Sequence, residues 1–536
     1  MSKINDKTTI GTVVTLKRVY SKTRANFFLE RMAAVFWLVL TLVASCMCDK
    51  FRILVVYPMP SRSHGNLGDG IVRQLLKAGH EVTYITAFQY KNPPPNLREI
   101  DVSSNLAAAP LSTKLYFTYA TKVKKLMISI ATKTYEHENV QKLINDPKEE
   151  FDLVIVEWMF SDLNAGFSSI FNCPFIWGSP VEISSEILGL VDAMPNPAYS
   201  PDFSSYELPP FTFWRRVENL WNRLRVKYWN LNVDEFERLV APVVMKRGGQ
   251  VPDYSEVRYN ASLILANSHI SAGPALSLPQ NYKPIGGYHI DENVKPLPQD
   301  LQKIMDESKN GVIYFSMGSN LKSKDWPDAI KNDLLKMFGE LKQTVLWKFE
   351  EVMPDLPKNV HILKWAPQPG ILSHPNCVLF ISHGGHLSTM ETIHFGVPII
   401  GIPVFGDQFI NVQRSVNKGY ARKVDLNDAI VGELKAAITE VVNNPKYTQR
   451  VKELSFIYHH RPTKPGAELV HWVEHVVRTR GAVHLRSPAL HVPLYQRLYL
   501  DLVAVVLIII IIVPVLLMRV VSASKLVKVV IKKKIY

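Results

Sequence analysis

The chain has 536 residues, too many for one hydrophobic core, so two domains plus extensions are expected. Apolar residues make up 47% and charged residues 21%, which excludes a disordered chain. The net charge of +14 does not indicate a nucleic-acid binder, because residues 1–31 carry about +5 and residues 519–536 about +6, leaving about +3 for the whole middle.

Residues 1–31 read as an N-terminal extension ahead of a signal peptide, 32–48. There Arg31 and Met32 precede an apolar run, Ala33 to Ala44, and then the small residues Ser45 and Cys46. The polar stretch is long for the basic end of such a peptide, so Met32 is the expected physiological start, or 1–31 an isoform-specific extension. From residue 51 onward, short β-branched runs alternate with helical stretches, the pattern of a parallel sheet. Strands are predicted at Phe51 to Tyr57, Glu81 to Thr86, Asp152 to Glu157, Phe175 to Trp177 and Ser262 to Ala266, with a helix running to Ala78 and closed by Gly79. Residues 199–230 are unusually aromatic; covering an apolar pocket, touching a bilayer and plain core packing all remain open for them. Asn260-Ala261-Ser262 is one glycosylation sequon.

Pro279, Pro284, Gly286, Gly287, Pro296 and Pro298 break the pattern, and 286–300 is expected to be a linker between an acceptor-binding domain, 49–285, and a second α/β domain, 301–480. In the second series the predicted strands are Gly311 to Phe315, Thr344 to Phe349, His361 to Trp365, Val378 to Ser382 and Ile399 to Val404. Two such halves face each other across a cleft at their strand C-termini. After a juxtamembrane segment, 481–501, an uncharged run from Leu502 to Met518 reads as a transmembrane helix, and the basic tail 519–536 as cytoplasmic by the positive-inside rule. The body is then lumenal, and Lys533-Lys534-Ile535-Tyr536 fits a dilysine signal for retrieval to the endoplasmic reticulum. Cys46 and Cys48 leave with the signal peptide; Cys173 and Cys377 read as buried free thiols.

Several strand ends carry residues suited to an anionic nucleotide. Ser316-Met317-Gly318-Ser319 lets backbone amides approach closely; Trp365-Ala366-Pro367-Gln368, Ser382-His383-Gly384-Gly385 with Ser388 and Glu391, and Phe405-Gly406-Asp407-Gln408 come next along the chain. Each alone is weak. Together, in this order, with Glu391 eight residues after His383, they resemble the donor-binding signature of the UDP-glycosyltransferases, the superfamily that includes glucuronosyltransferases and microsomal insect enzymes. The resemblance implies two Rossmann-like domains of the GT-B type plus a C-terminal transmembrane helix, and an inverting hexosyltransferase acting on small lipophilic acceptors, as in detoxification.

Its implications for single residues have physical reasons. Trp365 is expected to stack on uracil, Gln368 to bond the uracil edge or the ribose, and Glu391 to accept from the ribose hydroxyls. His383, Gly385 and Ser388 are expected at the diphosphate, where a helix N-terminus favours negative charge. Ser319 adds a phosphate contact, and Asp407 and Gln408 hold the sugar. Leu387 stands where family members often have Asn, which weakens any contact there. Ser61-Arg62-Ser63-His64 resembles the loop of the family's catalytic histidine, with His64 as general base. The family orients that histidine with an Asp; here the matching strand ends in Glu157, with Asp162 the alternative. No Asp-x-Asp triplet occurs, so no metal cofactor is expected. The donor is expected to be UDP-glucose in preference to UDP-glucuronate, because no basic residue in the donor motif meets a sugar carboxylate. A carrier that binds UDP-sugars or lipophiles without transferring anything is the rival reading.

Overall fold

The structure, a computed structural model, describes residues 49–108, 120–191, 196–200, 207–229, 232–319, 321 and 326–534. The expected extension and signal peptide, the last two residues of the dilysine sequence, and Phe203 and Tyr206 of the aromatic stretch lie outside them. Internal contacts divide the chain into Met1–Phe51 and Arg52–Tyr536. In the first unit only residues 49–51 are described, and none is helical or extended.

The second unit contains two wholly parallel sheets. The first comprises β1 (Arg52–Tyr57), β2 (Glu81–Thr86), β3 (Leu97–Asp101), β4 (Leu153–Glu157), β5 (Phe175–Ser179), β6 (Leu263–Ala266) and β7 (Tyr282–Pro284), in the order β3-β2-β1-β4-β5-β6-β7. The second comprises β8 (Val312–Ser316), β9 (Thr344–Lys348), β10 (Val360–Leu363), β11 (Cys377–Ser382), β12 (Ile399–Gly401) and β13 (Ala421–Lys423), in the order β10-β9-β8-β11-β12-β13. Every predicted strand is present, with ends shifted by up to three residues. β3, β7 and β13 were not predicted. β7 and β13 are three residues long and β3 carries Arg98, Glu99 and Asp101, so none shows an apolar run.

Both sheets reverse their strand order next to their first strand, between β1 and β4 and between β8 and β11, and ligands bind in the crevice at such points. Six helices bear on the cleft, the contacts between the halves and the outer surface: α1 (Arg62–Lys77), α2 (Phe213–Trp229), α3 (His386–Phe395), α4 (Gln408–Asn417), α5 (Pro465–Arg478) and α6 (Leu500–Lys534). Gly79, at φ +92, ends the first turn of chain after α1 as its sequence position predicts. Two apolar cores lie on the two faces of the second sheet, and a larger one packs against the first.

The halves are joined by more than the chain between β7 and β8. Arg461 and Tyr458, from the second half, both bond the Gly286 carbonyl, at 3.2 and 3.3 Å. α5 returns to the first half, where Gly466 packs on Gln74 of α1 and Glu474 lies 3.4 Å from His80. Cys173 and Cys377 are free, and burial pushes both thiols up to about 12, although Cys173 is half-buried where Cys377 is buried. α6 is longer than the predicted span: Leu500–Lys525 is apolar enough to cross a bilayer, with mean hydropathy 3.3 and no part of it buried in the protein. Arg519 does not end the helix because Val520, Val521 and Ala523 continue it, and Pro514 is accommodated inside it.

Candidate active site

β1 delivers the chain to a short loop whose Ser61 begins α1, and His64 sits in the first turn. β4, the neighbour of β1 across the reversal point, ends in Glu157. The two side chains therefore meet: His64 Nδ1 is hydrogen-bonded to Glu157 Oε1, and Glu157 is buried. A carboxylate only accepts, so Nδ1 carries the proton and Nε2 is left as the basic nitrogen. The extra methylene of Glu over Asp is taken up without losing the contact. Asp162 is elsewhere. It is buried against Arg258 at 2.5 Å, accepts from Asn232 at 2.9 Å and from Tyr254, and forms a structural charge cluster.

His64 opens into a cavity of about 480 Å³ shared by both halves. Met59, Leu67, Met127, Met159 and Val181 give the first half's wall an apolar character. Opposite them stand all of the donor residues expected from the sequence: Ser319, Trp365, Gln368, His383, Gly385, Ser388, Glu391, Asp407 and Gln408. Trp365 is 62% exposed, so a ring face is open to a flat base. Gln368 bridges inward, accepting from Tyr314 Oη at 3.2 Å and donating to Glu391 Oε2 at 2.5 Å. Burial pushes the Glu391 carboxyl up to about 7, with the Gln368 bond pulling the other way.

His383 lies between two glycines. A Cβ on Gly318, at φ +81, would stand 2.6 Å from His383 Cε1, and one on Gly385 would stand 2.4 Å from Nε2. No side chain fits at either place, which is why these strand ends carry glycine. Burial, with Lys348 beside it, brings His383 down to about 4, so it is a neutral hydrogen-bonding ring at pH 7 and not a source of positive charge. Gly385 caps α3, and Gly385, His386, Leu387 and Ser388 line the cavity, so this helix N-terminus with its unpaired amides stands at the cleft. Asp407 accepts from Asn411 at 2.7 Å; burial raises its carboxyl, and His386 opposes that. Gln408 turns its carbonyl onto the amides of Val404 and Phe405, at 2.8 and 3.1 Å, so only its amino end is left for a ligand.

Lys348 belongs to none of the sequence motifs. It ends β9, is buried, and lines the cavity 5.9 Å from the Trp365 ring, donating to Glu350 at 2.7 Å and to the Gly318 carbonyl at 2.9 Å. A signal was available: a lysine that ends an otherwise apolar parallel strand is placed at the ligand crevice. Its presence also weakens the case against a glucuronyl donor, which rested on the lack of a basic side chain in the donor motif.

Two wholly parallel α/β halves that share one cleft, with an imidazole–carboxylate pair in its wall, make the GT-B architecture. Solved structures agree on the fold: Os79 from O. sativa, in complex with U2F and trichothecene, matches at TM-score 0.53 and 16% identity over 79% of this chain and 99% of its own. TcCGT1 in complex with UDP also matches at 0.53, with 15% identity over 81% and 100%. A family model described as UDP-glucoronosyl and UDP-glucosyl transferase covers residues 53–535. UDP-glucosyltransferase 2 of Dactylopius coccus is 35% identical over 85% of this chain and 90% of its own length. UDP-glucuronosyltransferase 2B15 of Rattus norvegicus is 29% identical over 85% and 89%. The chain belongs to the UDP-glycosyltransferase family and is an enzyme of that class.

Proposed function

We propose that the protein transfers glucose, in preference to glucuronate, from a UDP-sugar to the hydroxyl of a small lipophilic acceptor by one inverting displacement. The His64–Glu157 pair carries the reading, because it leaves Nε2 facing the cavity shared with the donor residues. Nε2 takes the acceptor's hydroxyl proton as the oxygen attacks the anomeric carbon, and the C1–O bond to UDP breaks on the opposite face. Glu157 balances the imidazolium that forms. UDP leaves with its negative charge met by Lys348, His383 and the amides of α3, which supports a reaction without a divalent metal. An α-linked donor gives a β-glycoside.

The methionine-rich wall supports a lipophilic acceptor. Preference for glucose is supported by the relative named a glucosyltransferase at 35% identity. α6 serves as membrane anchor. With the basic residues that come after it, this supports a single-pass type I protein of the endoplasmic reticulum with lumenal domains, consistent with a role in detoxification.

Radiolabelled UDP-glucose and UDP-glucuronate, offered with a panel of phenols to microsomes containing the chain or its His64→Ala variant, test the reading. Transfer by the parent alone, undiminished by EDTA, is the expected result. Donor binding without transfer by the parent would refute it in favour of a carrier. Loss of turnover in EDTA that magnesium restores would refute metal independence.

A further inference from the structure

Two charged side chains from different halves line one crevice beside the donor residues, each with a bond left unmade. Glu182 follows β5 in the first half and is buried. Its Oε1 accepts from the amide of Ile183 at 3.3 Å, and its Oε2 has no hydrogen-bond partner among the described residues. Arg414, on α4 in the second half, is buried as well, and its Nε is equally unpartnered. Buried ionic groups short of partners are costly, so their placement needs a reason. The crevice, about 10 Å³ and no larger than one water, also has Asp407 and Asn411 in its lining.

One cation here answers two carboxylates. Burial pulls the Arg414 guanidinium down, while Glu182 and Asp407 both hold it up. Burial raises Glu182, and the side chains that oppose this, His386, Arg414 and Lys418, all belong to the second half. Two of them are engaged elsewhere: His386 Nε2 donates to the Asn267 carbonyl, and Lys418 to the Ile270 carbonyl at 3.2 Å. Arg414 Nε has no such bond. On its own side Glu182 packs on Gly273, where a Cβ would stand 2.5 Å from Glu182 Cδ, so the carboxylate has no room to draw back there.

α4 links this contact to the donor. Asp407 caps the helix, and Arg414 comes seven residues, about two turns, later on the same face. Asn411, between them, donates to Asp407 Oδ2 at 2.7 Å, which leaves Oδ1 for a ligand. We infer that Glu182 is a positioning residue for the donor sugar: its carboxylate draws the Arg414 guanidinium toward the first half and so keeps Asp407 Oδ1 open to a sugar hydroxyl. Without Glu182 the guanidinium has only Asp407 to neutralise, and it takes the oxygen that the sugar needs. This role rests on the reading of Asp407 as a sugar ligand.

Calorimetry on the full-length chain in detergent, with UDP-glucose and with UDP as separate ligands, tests it. Glu182→Gln is expected to weaken UDP-glucose about tenfold and to leave UDP within about twofold, because UDP lacks the sugar. Adding Arg414→Gln to Glu182→Gln removes the competing cation and is expected to restore most of the UDP-glucose affinity. Equal weakening of both ligands by Glu182→Gln, or a double variant no better than the single one, would overturn the inference and leave Glu182 a structural role alone. Asp407→Asn distinguishes the two ways to fail. If it weakens UDP-glucose selectively while Glu182→Gln does not, the role of Glu182 falls. If it binds both ligands as the parent does, the sugar assignment of Asp407 falls, and the role of Glu182 with it.

Discussion

Replacing Glu157 by Gln keeps the size of the side chain and an acceptor oxygen but removes the charge that faces His64. In the ground state the Gln oxygen still accepts from His64 Nδ1, so little is lost there. In the transition state the imidazole has taken the acceptor's proton, and its positive charge would lie about 4 Å from the missing carboxylate. At that separation, with the effective dielectric suited to a site open to a cleft, the attraction amounts to about 4 kcal/mol. Each 1.36 kcal/mol is a factor of ten in rate, so kcat should fall by about 10³. UDP-glucose affinity should hardly change, since Glu157 stands on the acceptor side. Rapid-quench measurement of a single turnover, with donor binding followed by quenching of tryptophan fluorescence, separates the two quantities. A Glu157→Gln enzyme within threefold of the parent kcat, while His64→Ala is dead, would refute the positioning role of Glu157.

Other changes probe the donor side. Lys348→Met removes the buried cation of the donor wall, and a hydrogen bond to a charged group contributes about 1.5–3 kcal/mol, so UDP-glucose should bind about 10- to 100-fold more weakly by calorimetry; binding within twofold of the parent would count against a phosphate contact. Glu391, raised to about 7 by burial, must be ionised to accept from both ribose hydroxyls. Affinity for UDP-glucose is therefore complete above pH 7 and lost as pH falls through it, about tenfold weaker at pH 6 than at pH 8. Glu391→Gln should flatten that profile, and an unchanged slope in the variant would place the titration elsewhere. Gly318→Ala forces a Cβ onto His383 at a positive φ, with strain of about 1–2 kcal/mol; melting temperature and donor affinity should both drop, and an unaltered affinity would show that His383 does not need its present position.

Much of the architecture was legible because it depends on local pattern. A parallel strand buried on both faces must be a short apolar run, so β1, β2, β4 and β8 stand out in the chain, whereas β3, with its charged residues, and the three-residue edge strands β7 and β13 do not. Likewise the donor residues succeed strand ends in a fixed order, and small residues are needed wherever backbone approaches a phosphate, so nine of them could be named from sequence and all nine line one cavity.

Partnership across the chain was decided only by folding. Glu157 and Asp162 are five residues apart in sequence and equally acidic; the β1–β4 register puts the first on His64, while Arg258 and Tyr254, from the segment before β6, claim the second. Nor could composition reveal that His383 would be too deeply buried to stay charged, or that Lys348, outside every motif, would supply the cation instead. For α2 the sequence declared an aromatic stretch but not that Trp214 and Trp221 would turn outward, because that depends on which neighbours offer carbonyls and carboxylates and which offer nothing. Local order along the chain sets strands, turns and motif chemistry; the pairing of distant charges and the orientation of a helix face arise from burial, which exists only once the chain has folded.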